Sequence, residues 1–107
     1  MIYPSELELL EFFGVEPEHV EDVTLYRVPD AAGVGLRFSY SDAGESLQTA
    51  LYVAGLCVCV VCHEGLKRFY IDQGTLRAEF ADHECAVALS LTIHPMIRVD
   101  WSGLRLS

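Results

Sequence analysis

The chain has 107 residues, 51% of them apolar, and its 16 acidic and 7 basic side chains give a net charge of −9. This length predicts a single domain, residues 1–107, around one core, and the apolar content excludes a disordered chain. The negative charge disfavours nucleic acid and anionic membranes as direct partners, because phosphate groups would be repelled. The longest apolar run is about eight residues, short of the ~20 that a membrane-spanning helix needs. The N-terminal residues do not follow the pattern of a secretory signal, so we expect a cytoplasmic protein with reduced cysteines.

The first predicted element is a short helix over residues 6–13. Ser5 and Glu8 have the spacing of a capping box, in which each side chain bonds the other residue's backbone N–H. Apolar residues then recur at helical spacing, and Gly14 suits the left-handed position that ends a helix. The apolar stripe predicted for this helix comprises Leu7, Leu10 and Phe13, with Leu9 and Phe12 beside them.

From residue 22 onward the apolar period changes from 3.6 to 2, which predicts short strands separated by turns. The strands fall at about residues 23–28, 34–40, 47–53, 56–62, 66–71, 75–80, 85–93 and 97–101, with Leu104 and Leu106 as a possible final edge. Residues 47–53 and 56–62 are either two strands or one long strand bent at Ala54-Gly55. Tight turns between them imply antiparallel neighbours. The predicted class is therefore α+β: a short N-terminal helix packed on a curved, mainly antiparallel sheet of about six to seven strands. A small β-sandwich is the alternative.

The most apolar stretch, Leu56–His63, contains three cysteines and a literal C-x-x-C-H signature for haem attachment at residues 59–63. The stretch is rich in valine and reads as a strand, in which residues three apart point to opposite faces. That geometry argues against haem, and no cofactor is predicted. Both faces of the strand are apolar, so the interpretation is a central strand covered on both sides, with Cys57 and Cys59 as buried, reduced thiols.

Two kinds of chemistry are weighed against a plain binding role. A zinc site is the alternative, with Cys59, Cys62, His83 and Cys85 as ligands, although C-x-x-C in a zinc site usually occupies a tight turn. Cys62 and His63 are adjacent in a strand and face oppositely, so they cannot form a catalytic dyad with each other. A dyad of Cys62 with His83 or His94 is an alternative, but no motif places an acidic residue to orient the histidine. No catalytic residue is therefore predicted, and we expect the protein not to be an enzyme.

Charge favours a binding role, because complementary charge speeds encounter with an oppositely charged partner. Residues 1–30 hold eight of the 16 acidic residues and only one basic residue. The alternative is that the negative charge has no binding role and only keeps a small domain soluble. The candidate partner-binding residues are Glu16, Glu18, Glu21, Asp22, Asp42, Glu45, Glu64, Asp82 and Glu84. Possible aromatic anchors are Tyr40, Tyr52, Tyr70 and Trp101.

Four segments together resemble a known family: Phe13-Gly14-Val15-Glu16-Pro17, Asp22-Val23-Thr24-Leu25-Tyr26, Gly35-Leu36-Arg37-Phe38 and Leu76-Arg77-Ala78-Glu79-Phe80. The layout resembles the small immunity proteins of bacterial polymorphic toxin systems, and the immunity protein 50 family in particular. The resemblance implies a non-enzymatic inhibitor that binds a cognate toxin domain and often covers its active site. We expect the protein to be a monomer or a weak dimer. An acidic inhibitor would suit a basic toxin. A dimerising structural subunit is a further alternative.

Overall fold

The computed structural model describes residues 2–29, 33–81 and 86–103, and these residues form one helix and nine strands. The helix is α1 (Glu6–Phe13). The first sheet has the strand order β1 (Glu18–Val20), β2 (Val23–Val28), β3 (Val34–Ser41), β4 (Ser46–Val53) and β5 (Leu56–Glu64). The second sheet has the order β6 (Leu66–Asp72), β7 (Thr75–Phe80), β8 (Val87–Thr92) and β9 (Arg98–Ser102).

Helix α1 begins and ends at the residues that the sequence predicts. The backbone N–H of Glu8 donates to Ser5 Oγ at 3.2 Å, and the N–H of Ser5 donates to Glu8 Oε1 at 3.2 Å, which completes the capping box. Gly14 has a φ of 72°, and its N–H donates to the carbonyl of Leu10 at 2.8 Å. The buried stripe differs from the prediction, because Leu9 and Phe13 are buried while Leu7 is 64% exposed. An eight-residue helix has only about two turns, and the two residues that it buries are one turn apart.

Aromatic rings connect the helix and the two sheets into one core. The Phe13 ring lies 4.5 Å from the Tyr26 ring and 5.0 Å from the Phe38 ring, measured between centroids. Phe69 of the second sheet lies 5.8 Å from Phe38 and 4.9 Å from Tyr40. The buried side chains of both sheets therefore pack against one another, with α1 against the inner face of the first sheet.

Every strand pairs antiparallel with its neighbour in the chain, within one sheet or the other. The chain passes between the sheets at Gly65, which has a φ of 79°. A Cβ on Gly65 would lie 2.8 Å from the carbonyl oxygen of Ala81, closer than real Cβ contacts, so glycine is needed there. The predicted class is confirmed, with the strands divided into two sheets that share a core, as in the sandwich alternative.

The prediction for Leu56–His63 is wrong on one point, since β5 is the edge strand of the first sheet and not a central strand. Cys57 and Cys59 are exposed thiols rather than buried ones. The physical reason is the turn at Gly65, because the following strand, β6, joins the other sheet and leaves the outer edge of β5 without a neighbouring strand among the described residues.

The later alternating patterns are confirmed by burial. Leu76, Ala78 and Phe80 of β7 are buried, as are the inward residues of β8 and its extension, Val87, Leu89, Leu91 and Ile93. Cys85, at the predicted start of β8, and residues 104–106 lie outside the described residues. Strand β1 was not predicted, because its three residues are too few to show a period.

Candidate functional site

Five of the predicted partner-binding carboxylates lie along one end of the first sheet. In a meander of antiparallel strands, alternate turns fall at the same end. The β1–β2 turn carries Glu21 and Asp22, the β3–β4 turn carries Asp42 and Glu45, and Glu64 ends β5. The register links these positions across the sheet through Val20, Val23, Ser41, Ser46 and Glu64. We call these five acidic residues the acidic rim. At a strand spacing of about 4.8 Å, the rim spans roughly 17 Å.

Hydrogen bonds hold the middle of the acidic rim. The buried hydroxyl of Ser41 donates to Asp22 Oδ2 at 3.1 Å and accepts the N–H of Gly44 at 2.9 Å. The N–H of Glu45 donates to the Asp42 carbonyl at 3.3 Å, while the Glu45 carbonyl accepts the N–H of Leu66 at 2.8 Å. The β3–β4 turn is thereby tied to the first strand of the other sheet.

Two acidic residues of the rim adopt a left-handed backbone conformation, with φ of 56° at Glu21 and 48° at Glu45. This conformation costs a non-glycine residue about 1–2 kcal/mol. Tight hairpin turns commonly require this conformation, and it recurs at Ala54 and Gln73 in turns away from the rim. The left-handed residues therefore reflect the geometry of the turns.

The rim carboxylates are exposed, and none of them takes part in an ion pair among the described residues. The ion pairs found there join Arg27 with Glu18, Arg68 with Glu79, and Arg98 with Asp100. The first of these matters here, because Glu18 was a predicted binding residue and its charge is instead matched by Arg27 within the protein.

A recess of about 350 Å³ adjoins the rim. Its lining includes Tyr3, Glu6, His19, Asp22, Tyr40 and Asp42. The pKa of the Tyr40 phenol is raised, chiefly by burial; its hydrogen bond with Thr24 opposes the shift, and the carboxylates of Glu6 and Asp42 are among the charges that add to it. Burial raises the pKa of Tyr26 to about 12, again with a contribution from Glu6. Three carboxylates, those of Glu6, Asp22 and Asp42, line this recess, so its charge is complementary to that of a lysine or arginine side chain.

The other predicted binding residues are placed differently. Glu16 is exposed in the link between α1 and β1, outside the rim, and Asp82 and Glu84 lie outside the described residues. Among the proposed aromatic anchors, Tyr40 is 8% exposed and belongs to the core, where its ring contacts Phe69. The other three, Tyr52, Tyr70 and Trp101, are half-buried.

The geometry of β5 bears on the zinc and haem alternatives. Cys59 lies opposite Leu51 and Cys62 opposite Gln48, so the two thiols point to opposite faces of the sheet. His83 and Cys85 lie outside the described residues, and within those residues no group of three or more His, Cys, Asp or Glu side chains could hold a metal. Cys59 and Cys62 therefore do not form one half of a metal site on a single face.

No helix among residues 2–29, 33–81 and 86–103 has the length and apolar character required to cross a membrane.

Comparison with known proteins gives one informative match. No protein-family model and no curated protein matches the chain. A chain of a solved structure, described as a contact-dependent growth inhibition toxin–immunity protein complex from Klebsiella pneumoniae 342, superimposes with a TM-score of 0.86 at 25% sequence identity. The alignment covers 94% of this chain and 95% of that one. The similarity agrees with the resemblance to immunity proteins of toxin systems, although the immunity protein 50 family itself gains no support from a family model.

Proposed function

We propose that this protein is a non-enzymatic immunity protein that binds and neutralises a cognate bacterial toxin domain in the cytoplasm of the producing cell. The observation that carries the proposal is the superposition over nearly the whole of both chains with a component of a toxin–immunity protein complex. Of the two roles in such a complex, the sequence resemblance and the net charge of −9 favour the inhibitor.

The acidic rim is the surface that we propose for the toxin. It places five exposed carboxylates along about 17 Å of one end of the sheet. Within the described residues, none of these carboxylates forms an internal ion pair. Complementary charge accelerates encounter and disfavours wrong partners. The recess beside Asp22 and Asp42 would receive a basic side chain of the toxin, so the proposed partner is a basic domain.

The function is tested with the product of the adjacent gene. Production of that product alone should arrest growth, co-production with this protein should restore it, and the two should co-purify. A neighbouring product that is harmless, or that does not bind even at low salt, would refute the proposed function.

The surface is tested separately with neutralising variants. Asp42→Asn with Glu64→Gln should slow association and weaken the complex by roughly twofold to thirtyfold, since exposed charge pairs are each worth about 0.2–1 kcal/mol. A matched control is Glu11→Gln with Asp72→Asn, which removes the same charge from exposed residues on α1 and at the far end of β6. Equal effects of the two double variants would mean that net charge acts without a defined rim.

A further inference from the structure

The four edges of the two sheets differ in how they are protected against pairing with another strand. Edge strand β1 has three residues, and its Glu18 is ion-paired with Arg27. Edge strand β9 carries the ion pair between Arg98 and Asp100. Short length and charged side chains are the usual means by which an exposed edge avoids association.

The third edge, β6, is covered by the start of the chain. Ile2 forms a parallel bridge with Arg68, and the N–H of Phe69 donates to the Ile2 carbonyl at 3.1 Å. Arg68 also forms an ion pair with Glu79, and these charged side chains further disfavour pairing of β6 with another strand.

Among residues 2–29, 33–81 and 86–103, none covers the outer side of the fourth edge, β5, and this strand is neither short nor charged along its length. It is nine residues long, and its residues 56–63 include no Asp, Glu, Lys or Arg. Leu56, Val58 and Val60 are 71%, 60% and 53% exposed. A long, apolar and uncharged edge strand is a template for a further strand. The register shift of β5 falls at Val58, so its regular part runs over residues 59–64.

From this contrast we propose that β5 pairs antiparallel with β5 of a second copy of the chain, which joins the two five-stranded sheets across a two-fold axis. Such an interface is self-complementary, as two-fold interfaces must be. Two-fold symmetry requires one residue to lie opposite its own copy, and pairing centred on Val61 places Cys59 opposite His63 of the second copy. The two Glu64 carboxylates are then about 20 Å apart along the strands. That separation exceeds the screening length of about 8 Å at physiological salt, so the edges meet without charge repulsion.

A second copy fits this edge better than a basic partner does. Residues 56–63 offer no carboxylate to a basic protein, whereas the acidic rim offers five. The two modes also respond to salt in opposite directions. Two chains of charge −9 repel each other at long range, so salt should tighten the dimer, while salt should weaken a complex with a basic toxin.

The test is sedimentation velocity of the isolated protein over a concentration series at low and moderate salt. We expect a reversible dimer that becomes tighter with salt. Val60→Lys places a charge in the pairing edge of both copies and should raise the dimer dissociation constant at least tenfold. Val20→Lys is the matched control, because Val20 is also an exposed valine, 62%, on the opposite edge of the same sheet, and should leave the dimer unchanged.

Three outcomes would overturn the proposal. The first is a wild-type protein that is a monomer at all concentrations measured. The second is equal weakening of the dimer by Val60→Lys and Val20→Lys, which would place the contact elsewhere. The third is a monomeric protein whose binding to the toxin is weakened by Val60→Lys, which would make the toxin the occupant of β5. The first two results leave the proposed function untouched, because neutralisation is measured separately with the toxin. The third would keep the function and move the toxin-binding surface from the acidic rim to β5.

Discussion

The hydrogen bond between Trp101 and Thr49 links the two sheets, and its removal should measure how strongly they are joined. Trp101 Nε1 of β9 donates to Thr49 Oγ1 of β4 at 3.0 Å, across 52 positions of the chain. Thr49 is 2% exposed and Trp101 is half-buried. Thr49→Val keeps the shape of the side chain but removes the acceptor, which leaves the indole N–H without its protein partner.

The expected loss in the free energy of unfolding is about 0.5–1.5 kcal/mol for Thr49→Val, the net contribution of a typical hydrogen bond. Trp101→Phe should cost more, because it also removes part of the packing against Phe80, whose ring lies 5.4 Å away. The double variant removes donor and acceptor together, so its loss should be smaller than the sum of the two single losses by about 0.5–1.5 kcal/mol.

The measurement is a double-mutant cycle by urea unfolding, with circular dichroism to confirm that each variant folds. Thr49→Ser is the control, since it removes the γ-methyl group but retains the hydroxyl that accepts the indole N–H, and its coupling to Trp101→Phe should be preserved. Losses for the two single variants that add fully in the double variant would refute the claim that this hydrogen bond couples the sheets.

Three further predictions concern the helix cap, pH and the thiols. Ser5→Ala should lower the free energy of unfolding by about 0.5–2 kcal/mol in thermal or denaturant unfolding, because it removes the capping box. Stability should decline as pH rises from 10 toward 12, since the pKa of Tyr26 is about 12 in the folded protein and 10 when exposed; Tyr26→Phe should show a smaller decline over that range. In dilute native protein, Cys57, Cys59 and Cys62 should all react with a mild thiol reagent without unfolding, and protection of all three would contradict the edge position of β5.

Local sequence signals predicted the elements well, because each signal acts within a few residues. The capping box at Ser5 and the glycine at position 14 gave both ends of α1, and strict alternation gave β7 and β8. The weak point was the buried stripe of α1, where Leu7 was expected inside and is exposed. A helix of two turns offers several neighbouring apolar faces, and contact with Phe38 and Tyr26 selects one of them.

The error at Leu56–His63 has a different origin. A strand that is apolar on both faces is typical of the middle of a sheet, but an edge strand that pairs with another chain shows the same pattern. An apolar sequence pattern indicates that a surface is buried in the functional protein. It does not indicate whether the atoms that bury this surface belong to the same chain or to another one. Only the division of the strands at Gly65 reveals that β5 is an edge.

The acidic rim could have been located from the sequence once the strands were accepted as a meander. Its members are spread over residues 21–64, but they all fall in alternate turns or at a strand end on the same side. The sequence identifies the acidic residues but does not show which of them form ion pairs. Glu18 pairs with Arg27, whereas the five carboxylates of the rim form no ion pair within the described part of the chain.

The passage between the sheets at Gly65 has a consequence for how the protein folds. Each sheet is formed by one continuous segment of the chain. Within a sheet, each described strand pairs with strands that are adjacent to it in sequence, so pairing does not require contact between distant segments. Folds dominated by such near-neighbour pairing form faster than sandwiches whose strands cross over. A chain severed at Gly65 would keep every strand-to-strand ladder within one fragment or the other. The two fragments should therefore recover the native fold on mixing, driven by burial of their shared aromatic core.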